Sequence, residues 1–315
     1  MNILFTNAGR RTYLVEFVLE LRQSYDELNI FLSDCDSTVP SFYLDEKITN
    51  IKTPKVVNNE NNYFSVLKNK IIENKIDLLI PLSDLDLEVI AINHDELINL
   101  NCFPLVSEKN FIESCLNKKK FFDFCYENNL RTPELINQED IAKDNLPVVC
   151  KKIFGSGSND LKFIYYTSEI NVKKSIDVIY QKLIVGTEYH IDIFNDFQGN
   201  YISHCVKEKV SMRSGETDKA FIVHEMMLDE FAFKISTATK HIGNLDCDIM
   251  VDKKKDIFCI DFNPRFGGGY PVTHLSGMNY LKAAVDLCLG NQIILPKVPN
   301  KIFVSKGISV HKVNS

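Results

Sequence analysis

The sequence predicts a mixed protein, α/β followed by α+β: a doubly wound N-terminal domain, then a two-lobed region built on antiparallel sheets. Three observations lead there. Over the first hundred residues, short apolar runs alternate with amphipathic stretches of helical period, the pattern of a parallel sheet covered on both faces. From Pro147 to Asp261, polar–apolar alternation takes over and helices only punctuate it, an antiparallel α+β pattern. The length of 315 residues, with 45% hydrophobic and 25% charged side chains, suits about two ordinary globular domains.

Taken in order, Ile3 to Thr6 reads as a buried strand, and Tyr13, Leu14, Phe17, Val18 and Leu21 recur at helical spacing behind it. Ile30 to Leu32, Leu78 to Pro81 and Phe103 to Val106 are further strands, with helices over Tyr63 to Ile72 and Leu85 to Leu97. These make a first domain of residues 1–106. Asn117 is placed to cap a helix from Lys118 to Asn128, and Thr132-Pro133 ends that element. Strands then follow at Val148 to Ile153, Leu161 to Tyr166, Asp177 to Leu183, Glu188 to Phe194, Tyr201 to Val210, Cys247 to Val251 and Ile257 to Phe262. The turn Asp252 to Asp256 makes a hairpin of the last two, and helices are expected at Leu228 to His241 and Met278 to Leu289. The expected lobes are 107–184 and 185–315.

The net charge of -6 gives no overall attraction to nucleic acid or to an anionic membrane, so neither is expected as a partner. No stretch approaches the roughly 20 apolar residues of a membrane span. MNILFTNAGRR has too short an apolar run, with its charges on the wrong side, for a signal peptide. The nine cysteines form no C-x-x-C and several sit in apolar runs. They read as buried reduced thiols and point to a cytoplasmic protein.

Four segments carry chemistry. Lys151 closes an apolar strand and is followed by Gly155-Ser156-Gly157-Ser158. A fixed ammonium beside a loop whose backbone N–H groups approach closely suits phosphate. Gln181-Lys182-Leu183-Ile184 is a short exposed backbone that suits an adenine edge, and Glu188 just beyond it suits ribose hydroxyls. Asp261 and Asn263 are two apart on one strand and so share a face, with Asp248 on the preceding strand of the hairpin. Such an all-oxygen set suits Mg²⁺ rather than zinc. Arg265 follows the strand-ending Pro264, placed to hold a phosphoryl group. Gly267-Gly268-Gly269 reads as a loop that must approach something closely.

In order and spacing these segments resemble the ATP-grasp superfamily, specifically the branch of the carbamoyl-phosphate synthase large subunit. CIDFNPRFGGG is the most specific element, joined by PVVCKK with FGSGS, QKLIVGTEYHID and CLNKKKFFDFCYENNLRTP. The resemblance covers nearly the whole chain and implies a pre-ATP-grasp domain ahead of a two-lobed ATP-grasp domain. It implies that Lys118 and Lys151 bind ATP phosphates under the loop from Gly155 to Ser158, that Gln181, Lys182, Leu183 and Ile184 frame adenine, and that Glu188 holds ribose. It further implies that Asp248, Asp261 and Asn263 bind two Mg²⁺ ions, with Mn²⁺ an alternative, and that Arg265 stabilises the transferring phosphoryl group. Lys209, Arg213, Gly268 and Gly269 fall near phosphate or substrate. The chain departs from the family at Lys182 and Asp261, where Glu is usual, and at Asn117, where Asp is usual; Lys119 or Lys120 is an alternative phosphate ligand.

The implied reaction is an ATP-dependent joining of a small-molecule carboxylate to an amine through an acyl phosphate. The alternatives are a small-molecule kinase of the same fold and a nucleotide-binding subunit without turnover. The seven histidines show no metal spacing and no recognisable triad; His190, His224 and His274 are candidates for substrate contact, with a structural or solvated role the stronger reading for each. NAGRR lacks the G-x-G-x-x-G of a dinucleotide site. Asn7, Arg10, Arg11, Ser83, Asp84 and Asp86 fall at carboxyl ends of expected strands, where open α/β sheets bind ligands, and Arg10 or Arg11 is placed to receive a substrate carboxylate. A homodimer is the default assembly.

Overall fold

The computed structural model describes residues 1–9, 11–25, 27–141, 145–155, 161–170, 177–213, 215–298 and 302–307. Its first sheet is built from β1 (Asn2–Thr6), β2 (Asn29–Asp34), β3 (Thr49–Lys52), β4 (Leu78–Pro81) and β5 (Phe103–Pro104). All pairs are parallel, in the order β3-β2-β1-β4-β5. Period-two alternation sends Ile3, Phe5, Leu78 and Ile80 into one core and Leu4 and Leu79 into another. The first core takes Leu14, Val15 and Val18 of α1 (Thr12–Leu21). The second takes Tyr63 and Leu67 of α2 (Glu60–Asn74) and Leu87 and Ile90 of α3 (Asp84–Ile92).

The helix expected over Leu85 to Leu97 is broken at Asn93, where α4 (His94–Asn99) begins. The Asn93 side-chain amide donates to the Val89 carbonyl (2.7 Å), a local bond that competes with the helical ladder. The strand order reverses between β1 and β4, so the carboxyl ends of these two strands flank the switch point, where open sheets hold ligands.

Two helices, α5 (Lys109–Leu116) and α6 (Lys118–Glu127), lead to the second region. Asn117 caps α6, its side-chain oxygen accepting from the N–H groups of Lys119 (3.0 Å) and Lys120 (3.2 Å). A small four-stranded sheet follows, with β6 (Leu135–Ile136), β7 (Val148–Lys152), β8 (Lys162–Ile164) and β9 (Val178–Lys182) in the order β6-β9-β7-β8. The larger sheet contains β10 (Gly186–Asn195), β11 (Tyr201–Arg213), β12 (Glu216–Ile222), β13 (Gly243–Asp252), β14 (Ile257–Asn263) and β15 (Phe303–Ser305). Its order is β14-β13-β10-β11-β12-β15, and its pairs are antiparallel. On one face, α5, α6 and α7 (Met226–Thr239) share a core with β10, β13 and β14. Helices α8 (Tyr270–Leu275) and α9 (Tyr280–Leu289) turn back to the first sheet: Tyr270, Tyr280, Leu281, Ala284 and Val285 complete the core begun by Ile3 and Phe5. Among the described residues, no helix is long and apolar enough to cross a membrane.

The strands β3 and β12 carry no legible apolar period. In β12 the sequence ETDKAFI puts Thr217 and Asp218 inside, buried by tertiary contacts and not by hydrophobicity.

Candidate functional site

A cleft of about 510 Å³ is walled by the small sheet, the large sheet and the carboxyl end of the first sheet. Each wall contributes predictable chemistry. From the small sheet, Lys151 projects at the end of β7, its ammonium 3.5 Å from the Ile260 carbonyl. Burial lowers its pKa to about 8, against the pull of Asp261. From the start of α6, the Lys118 ammonium lies 3.6 Å from Asp261 and donates to the Gly155 carbonyl (3.1 Å). Lys118 lines the cleft; Lys120 instead pairs with Glu113. Gly155 has φ +129, a conformation that favours glycine, with nothing within 4 Å of where a Cβ would stand. Ser156, Gly157 and Ser158 lie outside the described residues, as does Arg10.

The connection from β9 to β10 brings Gln181, Lys182, Leu183, Ile184 and Glu188 to the same cleft. The Gln181 side chain is tied to the Pro133 carbonyl (3.2 Å), while the Lys182 and Leu183 N–H groups bond the Glu134 and Pro147 carbonyls. Glu188 accepts from Lys209 (2.7 Å), whose ammonium also lies 2.7 Å from Asp248. The two carboxylates overcome the desolvation of Lys209 and raise its pKa.

The hairpin of β13 and β14 pairs Asp248 with Asp261 and Asp246 with Asn263 across the strands, so period two turns all four toward the cleft. Burial raises the Asp261 carboxyl, opposed by Lys118 and Lys151. Asp248, Asp261 and Asn263 supply only oxygen ligands on one side of the cleft, a donor set that fits a hard divalent cation. Arg265 is clamped by Asp84, Nε to Oδ1 at 2.6 Å and Nη2 to Oδ2 at 3.0 Å, and also reaches the Asn263 side-chain oxygen at 3.3 Å.

The three glycines explain themselves by what a Cβ would strike. At Gly267 it would stand 1.2 Å from Asp246 Oδ2, at Gly268 2.7 Å from Glu216 Cγ, and at Gly269 2.6 Å from His190 Cε1 and Nε2. They let a backbone loop lie directly on the acidic floor. Below that floor Lys207 and Asp192, both fully buried, pair with each other, and each bonds Thr273.

At the far end, Arg11 donates to the carbonyls of Leu82 and Phe266 beside Glu216, which is held by Lys306 (3.0 Å). Ser83 and Asp84 line the cleft; Asp86 does not, being fully buried under Thr6 and Tyr63, with its pKa pushed up to about 6 by burial. Arg213 points away from the cleft, its side chain 56% exposed and near Asp218. His224 does not line it either, and His274 stacks on Phe17 at 3.7 Å. Sequence reasoning missed Asp246 and Glu216. The spacing Asp246-x-Asp248 on one strand was the available signal for the first; the second lies on a strand without apolar period.

The family model of the PylC-like N-terminal domain matches residues 3–105, and the model of the ATP-grasp domain matches residues 115–269. No curated protein matches the chain significantly. Among solved structures, biotin carboxylase from Campylobacter jejuni is 13% identical, with a TM-score of 0.72 over 95% of this chain and 73% of that one. L-amino acid ligase from Bacillus licheniformis is 18% identical, with a TM-score of 0.68 over 91% and 74%. N5-carboxyaminoimidazole ribonucleotide synthetase from Thermotoga maritima is 13% identical, with a TM-score of 0.71 over 94% and 78%. These likenesses are of fold.

Proposed function

Because the chain carries an ATP-grasp domain behind a PylC-like N-terminal domain, we propose that it is an ATP-dependent carboxylate–amine ligase. The observation that supports this most is continuity: one cleft joins a cationic end at Lys118 and Lys151, an acidic floor at Asp248 and Asp261, and a second cationic end at Arg11 and Arg265.

A carboxylate is a poor electrophile until one of its oxygens is phosphorylated. In the proposed reaction the substrate carboxylate attacks the γ-phosphorus of ATP, ADP leaves, and an amine then displaces phosphate from the acyl phosphate. Lys118 and Lys151 hold phosphate oxygens, Glu188 accepts from ribose hydroxyls, and the hinge from Gln181 to Ile184 frames adenine. Asp248, Asp261 and Asn263 would hold Mg²⁺, which neutralises phosphate charge when bound. Arg265, fixed by Asp84, Asn263 and the Phe266 carbonyl, offers its remaining Nη1–H to the transferring phosphoryl group, and Arg11 faces the acid. The protein's contribution is positioning and charge neutralisation.

The test is ADP release with Mg-ATP across arrays of carboxylic acids, with and without amines, beside an Asp261→Ala/Asn263→Ala control. Release that needs both acid and amine, and vanishes in the control, supports the ligase. Release with the acid alone, once hydrolysis of leaked acyl phosphate is excluded by trapping, replaces it with a kinase. ATP binding with no release in any mixture replaces it with a non-catalytic nucleotide-binding subunit.

A further inference from the structure

Asp246 is an unusual carboxylate. It is 5% exposed and lines the cleft, yet no hydrogen bond to it is found among the described residues. Its one ion-pair neighbour there is His190, whose Nδ1 lies 3.5 Å from Asp246 Oδ1. The same Nδ1 lies 3.2 Å from Asp248 Oδ1. One imidazole nitrogen and two carboxylate oxygens thus converge, all within 4.8 Å of one another. A buried carboxylate with no donor is costly unless a positive charge joins it.

The other side of the ring is arranged to suit a ligand role. His190 Nε2 faces Asp192 Oδ1 at 3.6 Å. Asp192 is itself held by Lys207, by Thr273 and by Asn244 (3.1 Å). The 3.6 Å from Nε2 to Asp192 is longer than a hydrogen bond, but a proton on Nε2, the Asp192 side of the ring, leaves the Nδ1 lone pair on the side of the two carboxylates. Metal-binding histidines commonly have a carboxylate on the far side of the ring, the side that Asp192 occupies here. The Gly269 backbone lies so close to the ring that any Cβ there would overlap it.

We propose that His190, Asp246 and Asp248 form a second cation seat in the cleft, taking a first-row transition ion such as Mn²⁺ in preference to Mg²⁺ and needing no nucleotide to do so. The nitrogen ligand sets the preference: imidazole suits transition ions, whereas Mg²⁺ takes oxygen. Asp248 would be shared with the oxygen set of Asp261 and Asn263. Lys209 keeps Glu188 as a partner when a cation takes its place at Asp248. The inference concerns the cleft of the proposed ligase, but does not depend on which group is transferred.

The rival is a charged imidazolium that satisfies the same carboxylates without any ion. Electron paramagnetic resonance of the full chain with Mn²⁺ alone separates the two. The expected result is one bound Mn²⁺ without nucleotide, retained in excess Mg²⁺ and showing hyperfine coupling to a histidine nitrogen. His190→Gln should abolish the coupling, and both it and Asp246→Asn should weaken Mn²⁺ at least about tenfold. Asp261→Asn should keep the coupling. Mn²⁺ bound without nitrogen coupling overturns the proposal in favour of the all-oxygen set. No binding before ATP is added overturns it in favour of the imidazolium. Both outcomes are read on the unmodified protein, so a variant that fails to fold does not blunt the test. Both also leave the ADP-release result untouched, so the ligase reading stands or falls separately.

Discussion

Arg265 and Asp84 meet in a two-pronged ion pair although 181 positions separate them in the chain. The pair joins the end of the β13–β14 hairpin to the first turn of α3. Their side chains are 8% and 17% exposed, so the charges are largely desolvated, and Asp84 outweighs burial to raise the Arg265 pKa. Removing one partner of such a pair is expected to cost about 3–5 kcal/mol. Asp84→Asn should therefore lower the midpoint of chemical denaturation markedly. Arg265→Met should in addition reduce kcat for ADP formation roughly 10²–10³-fold, the loss typical of a group that contacts the transition state.

Nucleotide affinity should depend on pH through Lys151. Burial holds its pKa down to about 8, with Asp261 opposing the shift and Lys118 adding to it. Below that value the ammonium is present to meet phosphate; as pH rises through it, the charge is lost from the free protein. Calorimetric titration of Mg-ATP should show tighter binding on the acid side of about pH 8 and a decline above it. Lys151→Met should bind weakly throughout and lack the decline.

His241 should make stability fall in acid. Burial lowers its pKa from 6.5 to about 3, while the ring bonds the Ile193 carbonyl (3.1 Å) and the Thr239 hydroxyl (2.7 Å). Between those two values the unfolded chain takes up a proton that the native protein refuses. Stability is thus unaffected above 6.5 and declines as pH drops toward about 3, by up to ~1.4 kcal/mol per pH unit from this group. His241→Gln should flatten that limb of the stability profile, measured by urea titration.

Gly267→Ala tests the acidic floor sterically. The added methyl would overlap Asp246 Oδ2, and overpacking of this kind costs about 1–3 kcal/mol. Thermal melting should register the loss. Gly307→Ala, where a Cβ meets nothing within 4 Å, should leave the melting temperature unchanged.

The parallel sheet was legible because strands buried on both faces read as apolar runs, and the hairpin was legible because its alternation survives in CDIMV and IFCIDFN. Asp248, Asp261 and Asn263 could be placed together from that alternation alone. Asp84 with Arg265 could not, since nothing local links a helix start to a hairpin end. The buried pair of Asp192 and Lys207 was hidden for another reason: hydrophobic pattern assigns charges to the surface, and only a cross-strand partner makes them tolerable inside. Asn93 ended a helix that its apolar period would have continued, because its side-chain bond to Val89 lies outside any periodicity.

The sharing of one core between β1, β4 and α9 bears on how the chain is made. During synthesis the first sheet leaves the ribosome long before Tyr280 to Val285 exist to cover it. At common elongation rates that interval is on the order of ten seconds. Until then the surface formed by Ile3, Phe5, Leu78 and Ile80 lacks part of its cover, open to chaperones or to neighbouring nascent chains. A fragment ending near residue 106 would keep that surface uncovered permanently.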